Sequence, residues 1–257
     1  MESRQIYEIY AEFIRKKRKY TNCYFTPEEL QEECREKKSR IENKEGSLLI
    51  WIREHEYTKL YFSGDDFGWT NVFGVPENEV VAIEIVTKGD PGEYDFSKKI
   101  KCREVIQYTR FRRNGFAEPD NLHKTEPEYC SLNDLSEIRQ MLDTNFSPIG
   151  DYIPDDAGLN TFIQNKSIIC SRNDANLKGY LIFEDKGKTS YIRNVCVNNE
   201  YRGKGIGKEL MSAYFYMHRD FKGFTLWCKT TNGPAINLYT KVGGYHNEDL
   251  HDYIYIC

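Results

Sequence analysis

The chain of 257 residues reads as an α/β (α+β) fold in two domains, and three observations carry that reading. A strand-forming run, Tyr191-Ile-Arg-Asn-Val-Cys-Val197, passes through the glycine-rich stretch Arg202-Gly-Lys-Gly-Ile-Gly-Lys208 into an amphipathic helix. A second strand and helix follow, over Phe224–Thr230 and Asn232–Gly243. Upstream, Asn114–Pro127 is polar, carries Gly and two Pro, and lacks periodicity, so it reads as a linker. The expected division is an N-terminal α/β domain over 1–113, a linker over 114–127 and a C-terminal domain over 128–257.

The elements follow in order. Helical periodicity covers residues 3–18 and 26–43, and the β-rich segments Leu48–His55, Thr58–Ser63, Val80–Thr87 and Lys101–Arg112 complete the first half. After the linker, Ser131–Asp143 predicts a helix with Leu135, Ile138 and Leu142 on one face and Ser131 and Asp134 as its capping pair. A loop over Asn145–Pro154 leads to a short helix carrying Leu159, Phe162 and Ile163. Strands over Ser167–Arg172 and Lys178–Asp185 are joined to the Tyr191 strand by the turn Asp185-Lys-Gly-Lys188. Ile206, Leu210, Tyr214 and Met217 line one face of the helix beyond the glycines. Pro234 sits near the start of the last helix, Gly243-Gly244 ends it, and His246–Cys257 supplies one or two closing strands.

Composition sets limits on function. The net charge of −4 gives the whole chain no electrostatic case for nucleic acid or an anionic membrane. No apolar run approaches the roughly 20 residues of a membrane span. Met1-Glu-Ser-Arg opens a polar amphipathic stretch rather than a signal peptide, so the expectation is a cytoplasmic protein. Its eight cysteines are scattered without a C-x-x-C pair, which argues for reduced thiols and no metal site. Cys196 and Cys228 fall inside strands, where a buried small thiol is the expected role. The basic run Arg15-Lys-Lys-Arg-Lys19 follows Glu8 and Glu12 on the same stretch and reads as a solvated helical face.

Glycines between a strand and a helix leave backbone N–H groups open at the positive end of a helix dipole. That suits a phosphate, with Arg202, Lys204 and Lys208 adding charge. The spacing excludes two nucleotide motifs. A Walker A loop needs Gly where Arg202 stands and Ser or Thr where Glu209 stands. A dinucleotide fingerprint starting at Gly203 needs Gly in place of Lys208. What remains is R-x-x-G-x-G, on Arg202, Gly205 and Gly207. It resembles the acyl-CoA pyrophosphate loop of the GNAT (GCN5-related N-acetyltransferase) superfamily. Asn232-Gly-Pro-Ala-Ile-Asn-Leu-Tyr-Thr-Lys-Val-Gly-Gly-Tyr245 is similar to that family's later motif, with Gly244 where an aromatic residue is usual.

The resemblance implies a mixed, mostly antiparallel sheet flanked by helices, and an acetyl-CoA-dependent N-acetyltransferase acting by direct attack in a ternary complex. It places the pantetheine arm along Val195, Cys196 and Val197, and the pyrophosphate on Arg202, Gly203, Lys204, Gly205, Ile206, Gly207 and Lys208. Side chains at 205 or 207 are expected to obstruct phosphate approach. It makes the Val195 N–H an oxyanion donor and Tyr239 the acid that protonates the departing thiolate. Thiol and phenol have ordinary pKa values of roughly 8.5 and 10, which suits that transfer. Asn232 is expected at the pantetheine amides, or as a helix cap alone, and Ala235 leaves room for the arm.

Where some members carry a glutamate base, this chain has Tyr191, leaving Glu184 through water, His251, or a water chain. Acceptor selectivity is expected in the loop holding Phe146, Asp151, Tyr152, Asp155 and Asp156, whose carboxylates would draw a cationic small-molecule or amino-acid-like amine, or, at Asp155-Asp156, simply cap the second helix. The N-terminal half resembles a degenerate GNAT-like domain in a tandem arrangement. There Lys88-Gly-Asp-Pro-Gly-Glu93 puts acid where a pyrophosphate needs amides and cations, so this half is expected to wall the acceptor pocket or to form a homodimer. The competing class is a CoA-binding regulatory protein that kept the fold and lost turnover.

Overall fold

A computed structural model describes residues 3–15, 18–35, 37–76, 78–114, 126–173, 176–243 and 245–257. The first part of the chain forms α1 (Ser3–Ile14), β1 (Tyr20–Thr21), α2 (Pro27–Glu33), β2 (Ser39–Lys44), β3 (Ser47–Arg53), β4 (Thr58–Gly64), β5 (Val81–Lys88) and β6 (Glu104–Asn114). Then come β7 (Glu128–Tyr129), α3 (Leu135–Asn145), α4 (Asp156–Gln164), β8 (Ile168–Asn173), β9 (Asn176–Lys186), β10 (Thr189–Val197), α5 (Ile206–Met217), β11 (Gly223–Lys229), α6 (Gly233–Lys241) and β12 (Tyr245–Ile256). They fall into two compact units, Met1–Gln107 with Asp249–Cys257, and Tyr108–Glu248. Among the described residues no helix is long and apolar enough to cross a membrane.

In the N-terminal unit, Ile6 and Tyr10 lie one turn apart on α1 and are buried with Leu30 of α2 against Ile41, Ile50 and Ile52. Thr26 and Glu29 form a capping box that starts α2, with Pro27 in its first turn. The helix expected to reach residue 43 stops at Glu33, and Ser39–Lys44 is a strand instead. Glu45 (φ 48°) and Gly46 (φ 74°) both adopt left-handed backbone, giving a two-residue hairpin that pairs Lys44 with Ser47. The hairpin outweighs the helical preference of the preceding charged run.

Strands β4 and β5 are parallel, but they pair only at Thr58↔Val81 and Lys59↔Ala82 and then diverge. The chain's own β1 fills the gap, pairing antiparallel with β4 at Tyr20↔Gly64 and Thr21↔Ser63. Buried Asn22 completes the join. Its Nδ2 donates to the carbonyls of Leu60 and Glu84, both at 3.1 Å, and its Oδ1 accepts from the Phe62 N–H at 2.6 Å. A short acidic segment follows β4 where the two parallel strands part. It reads Asp65-Asp66-Phe67-Gly68 and leads into a 3-10 turn over Gly68–Val72. The basic run expected on a helical face lies beyond α1: Arg18 pairs with Asp65 at 2.8 Å and Lys19 with Glu93 at 3.9 Å, while Lys16 and Lys17 lie outside the described residues.

The C-terminal unit has the strand order β6-β11-β10-β9-β8-β7. Every neighbouring pair is antiparallel except β10 and β11. Helices α3 and α4 bury Ile138, Leu142, Leu159 and Ile163 on one face of this sheet. Helix α5 buries Leu210, Met211 and Tyr214 on the other, beside Tyr239 of α6. Ser131 and Asp134 form the expected capping pair.

The division between the units departs from the sequence boundaries at two places. Residues 108–114 of β6 pair along β11, from Tyr108↔Lys229 to Asn114↔Gly223, and so belong to the C-terminal unit. Residues 249–257, expected to close the C-terminal sheet, pair along β5 from Leu250↔Lys88 to Ile256↔Ala82. Tyr255, 1 % exposed, packs its ring edge-on to Phe96 at 5.5 Å, which anchors that strand in the N-terminal core. Most of the expected linker, residues 115–125, lies outside the described residues.

Candidate active site

The site begins with a parting of parallel strands. β10 and β11 pair at Thr189↔Gly223, Ser190↔Phe224 and Tyr191↔Thr225, and no further. β10 nevertheless stays paired with β9 as far as Val197↔Gly179, with a bulge that leaves Arg193 without an opposite partner. The Asn198 N–H donates to the Lys178 carbonyl at 2.9 Å. Antiparallel alternation then turns the main-chain groups of Asn194 and Cys196 toward β9, and those of Val195 and Val197 toward the open edge. Arg202 Nε takes up the Val197 carbonyl from that edge at 3.1 Å. Of the three residues expected along the pantetheine path, Cys196 has its main chain committed to β9. Its side chain is buried under α3 and α4, where desolvation pushes the thiol up to about 11.

Gly179 lets β9 and β10 come this close. A Cβ there would sit 2.6 Å from the Cys196 carbonyl oxygen and 3.3 Å from both the Val197 Cα and the Ile206 side chain. Sequence reading missed this residue, because one glycine inside a strand carries no local signal of what approaches it.

Beyond β10, a 3-10 turn over Asn199–Tyr201 leads into the glycine loop. Arg202 fixes the loop, its Nη2 donating to Asn145 Oδ1 at 2.7 Å besides the bond to Val197. Gly203 (φ 75°) and Gly205 (φ 86°) are left-handed, and Gly205 is the N-cap of α5. Among the described residues, the backbone N–H groups of Gly205, Ile206, Gly207 and Lys208 find no acceptor within the protein. These donors open outward at the positive end of the helix, with the exposed side chains of Lys204 and Lys208 beside them. A Cβ on Gly205 would meet nothing within 4 Å, so backbone conformation is what requires glycine there. A Cβ on Gly207 would lie 2.9 Å from a methyl of Leu238, so that glycine serves the approach of α5 to α6.

Helix α6 brings up the second motif. Asn232 caps it, its Oδ1 accepting from the Ala235 N–H at 3.2 Å, which leaves Nδ2 as the part able to meet a ligand. Ala235 is half-buried against the α5 side of the core. Tyr239 is 7 % exposed, with its ring 5.4 Å from that of Phe111. Burial holds its phenol well above the ordinary value, so the proton is retained.

In the loop expected to select the acceptor, each carboxylate is already engaged. Asp151 is not a free carboxylate: it accepts from Tyr108 Oη at 3.0 Å, the Ser147 N–H at 2.8 Å and Lys229 Nζ at 2.7 Å. Asp155 caps α4 through the Gly158 N–H at 2.7 Å, and Asp156 pairs with Arg139 at 3.0 Å. Phe146 packs into the core under α3 and α4. Tyr152 is 43 % exposed, and its carbonyl is held by Asn194 Nδ2 at 3.0 Å. The bulged Arg193 lies over both Tyr152 and Tyr191, at 5.0 and 5.6 Å from the ring centres, and its guanidinium grips Glu184. Arg193 and Lys186 hold the Glu184 carboxyl below its usual range despite partial burial, which makes it a weak base. His251, the other base candidate, belongs to the N-terminal unit, where it contacts Gln107 at 3.3 Å.

Cross-strand register reveals an arginine that sequence reading did not single out. Tyr191 stands opposite Thr225, which stands opposite Arg112; two residues along the same face, Trp227 stands opposite Arg110. Arg110 Nε is buried with no hydrogen-bond partner among the described residues, and burial and then Arg112 lower its pKa. Among the described residues, no group of three or more His, Cys, Asp or Glu side chains could hold a metal ion.

These features agree with the comparisons. The model of the acetyltransferase (GNAT) family matches residues 135–245. No curated protein matches the chain. Among solved structures, a GCN5-related N-acetyltransferase from Sphaerobacter thermophilus is 12% identical with a TM-score of 0.57, over 82% of this chain and 76% of that one. A tandem GNAT protein from the clavulanic acid biosynthesis pathway is 11% identical with a TM-score of 0.54, over 82% and 78%. A Drosophila protein is 14% identical with a TM-score of 0.53, over 100% and 88%. At these identities the likeness is one of fold, and it covers more of the chain than Tyr108–Glu248 comprises, so it extends into the N-terminal unit. Residues 135–245 are accordingly a domain of the GNAT acetyltransferase family, in a chain whose fold is similar to that of a tandem GNAT protein.

Proposed function

We propose that the protein is an N-acetyltransferase that moves an acetyl group from acetyl-CoA to the primary amine of a small, amino-acid-like acceptor, by direct attack in a ternary complex. One observation carries the donor assignment: the open edge of β10 leads directly into a cradle of unpaired N–H groups at the start of α5. Val195 and Val197 offer amide groups to the pantetheine arm. The loop from Arg202 to Lys208 offers donors and cations to the pyrophosphate. The Val195 N–H serves as the oxyanion donor, a contribution worth about 10²–10³-fold in comparable sites. Tyr239, kept protonated by burial, supplies the proton to the leaving thiolate. With Glu184 held in ion pairs, the attacking amine loses its proton to water.

The cations on the acceptor face support an acceptor that bears a carboxylate as well as an amine. Asp151, Asp155 and Asp156 are already committed, whereas Arg110 has a desolvated Nε without a partner. An acceptor carboxylate would give that guanidinium a charge-assisted partner. The test is thiol release from acetyl-CoA across amines with and without a carboxylate, for wild type and Arg110→Gln. Turnover should favour amino acids, and R110Q should raise their KM about tenfold or more with kcat little changed. Tight acetyl-CoA binding with no turnover on any acceptor would overturn the reading in favour of a regulatory CoA-binding protein.

A further inference from the structure

The N-terminal unit contains a cavity that the transferase reading does not use. It has a volume of about 270 Å³ and is lined by Asn22, Tyr24, Phe25, Tyr61, Glu84 and Val86, beside the point where the chain's own segment fills the gap between β4 and β5. Phe25 and Tyr61 meet edge to face at 5.2 Å, and Tyr24 is 73 % exposed at the rim. Asp252 of β12 stands directly opposite Val86, so it lies on the cavity's face of the sheet. It is 8 % exposed, and its Oδ1 is buried with no hydrogen-bond partner among the described residues. Neither carboxyl has a Lys, Arg or His partner among the described residues.

The lining carboxylate of Glu84, beside aromatic rings, and the buried Asp252 on the same face of the sheet complement a positive ligand. Ring faces attract ammonium groups, and a buried carboxyl stays costly until an opposite charge or a proton meets it. We propose that this cavity is a binding site for a small organic ammonium ion. The inference does not depend on acetyl transfer. Burial and then Glu84 push the Asp252 carboxyl up to about 9, so Asp252 keeps a proton that a bound cation would replace. The volume suits an alkyl chain of a few carbons and excludes a peptide or nucleotide.

The experiment is calorimetric titration of the full chain, without acetyl-CoA, with n-butylammonium, tetramethylammonium, n-butanol and butyrate. Both ammonium ions should bind while the alcohol and the carboxylate do not, and Glu84→Gln should weaken them about tenfold or more. Val86→Lys, at a position 40 % exposed, supplies an ammonium group in cis. It should abolish binding and raise the melting temperature. No heat from either ammonium ion, equal binding of butanol, or unchanged affinity in E84Q would overturn the proposal. A V86K variant that folds and still binds n-butylammonium as wild type does would overturn it as well.

Discussion

Gly179 holds the donor edge in place, and its replacement by alanine makes a quantitative test of the site. The added Cβ would lie 2.6 Å from the Cys196 carbonyl oxygen, whereas a comfortable carbon–oxygen contact is about 3.3 Å, so β10 must move by about 0.7 Å. The obstacle is backbone on a strand still paired to β9, and no side-chain rotation relieves it. Overpacking of this kind costs about 1–3 kcal/mol. For a chain of this size that is a fall in Tm of roughly 2–12 °C. The displaced residues carry the Val195 and Val197 amide groups, and misplacement approaching 1 Å is worth up to ~10²-fold in rate.

Two neighbouring glycines supply the controls. Gly205→Ala meets no atom within 4 Å and costs only the left-handed backbone, about 1–2 kcal/mol, without moving β10. Gly207→Ala approaches a methyl of Leu238 at 2.9 Å, which a rotamer change relieves for about 0.5–1.5 kcal/mol. Melting curves should rank Gly179→Ala at or above the other two in lost stability, and calorimetric titration should show that it weakens acetyl-CoA binding although it lies outside the glycine loop. Wild-type Tm and acetyl-CoA affinity in G179A would refute the view that the β9–β10 approach sets the donor edge.

Tyr239→Phe should lower kcat about 10²-fold or more while leaving acetyl-CoA affinity near normal, because the ring packs against Phe111 with or without its hydroxyl. An unchanged kcat would remove its acid role. Asp134 is 6 % exposed and takes a bidentate pair from Arg172 at 2.7 and 2.8 Å. Hydrogen bonds from Arg172, and then from Ser131, lower its carboxyl to about 2 against burial. Against an unfolded value near 3.9, this contributes about 2–3 kcal/mol, present above pH 4 and lost as pH falls toward 2. Asp134→Asn should lower Tm at pH 7 and flatten the loss of Tm between pH 4 and pH 2; an unaltered acid limb would refute the assignment.

What was legible in the chain was local. The Arg202–Lys208 spacing, the strand before it and the Asn232–Tyr245 helix all depend on neighbours a few residues apart, and periodicity, capping and glycine chemistry act over that range. The Ser131–Asp134 cap was legible for the same reason. Helix α2 was overextended because the Glu45–Gly46 hairpin recruits Ser39–Lys44 through pairing that propensity does not register. The engagement of Asp151 was not legible because its partners Tyr108 and Lys229 are far from it in sequence. Arg193 was unreadable as a bulge, since a bulge belongs to the pairing of two strands.

By itself the sequence determined the glycine-loop unit: a strand, a glycine turn and a helix start are adjacent in the chain, and their chemistry follows from φ angles and helix dipoles. Tertiary structure alone decided three further matters. Register across β6, β11 and β10 set which cations share one face of the sheet. Strand pairing set which unit receives residues 249–257. The filling of the β4–β5 gap by Tyr20–Asn22 set which half keeps an open parallel edge. Each is a choice between hydrogen-bond partners distant in sequence, settled by which edge can bury and pair its main chain, and such choices leave no local trace.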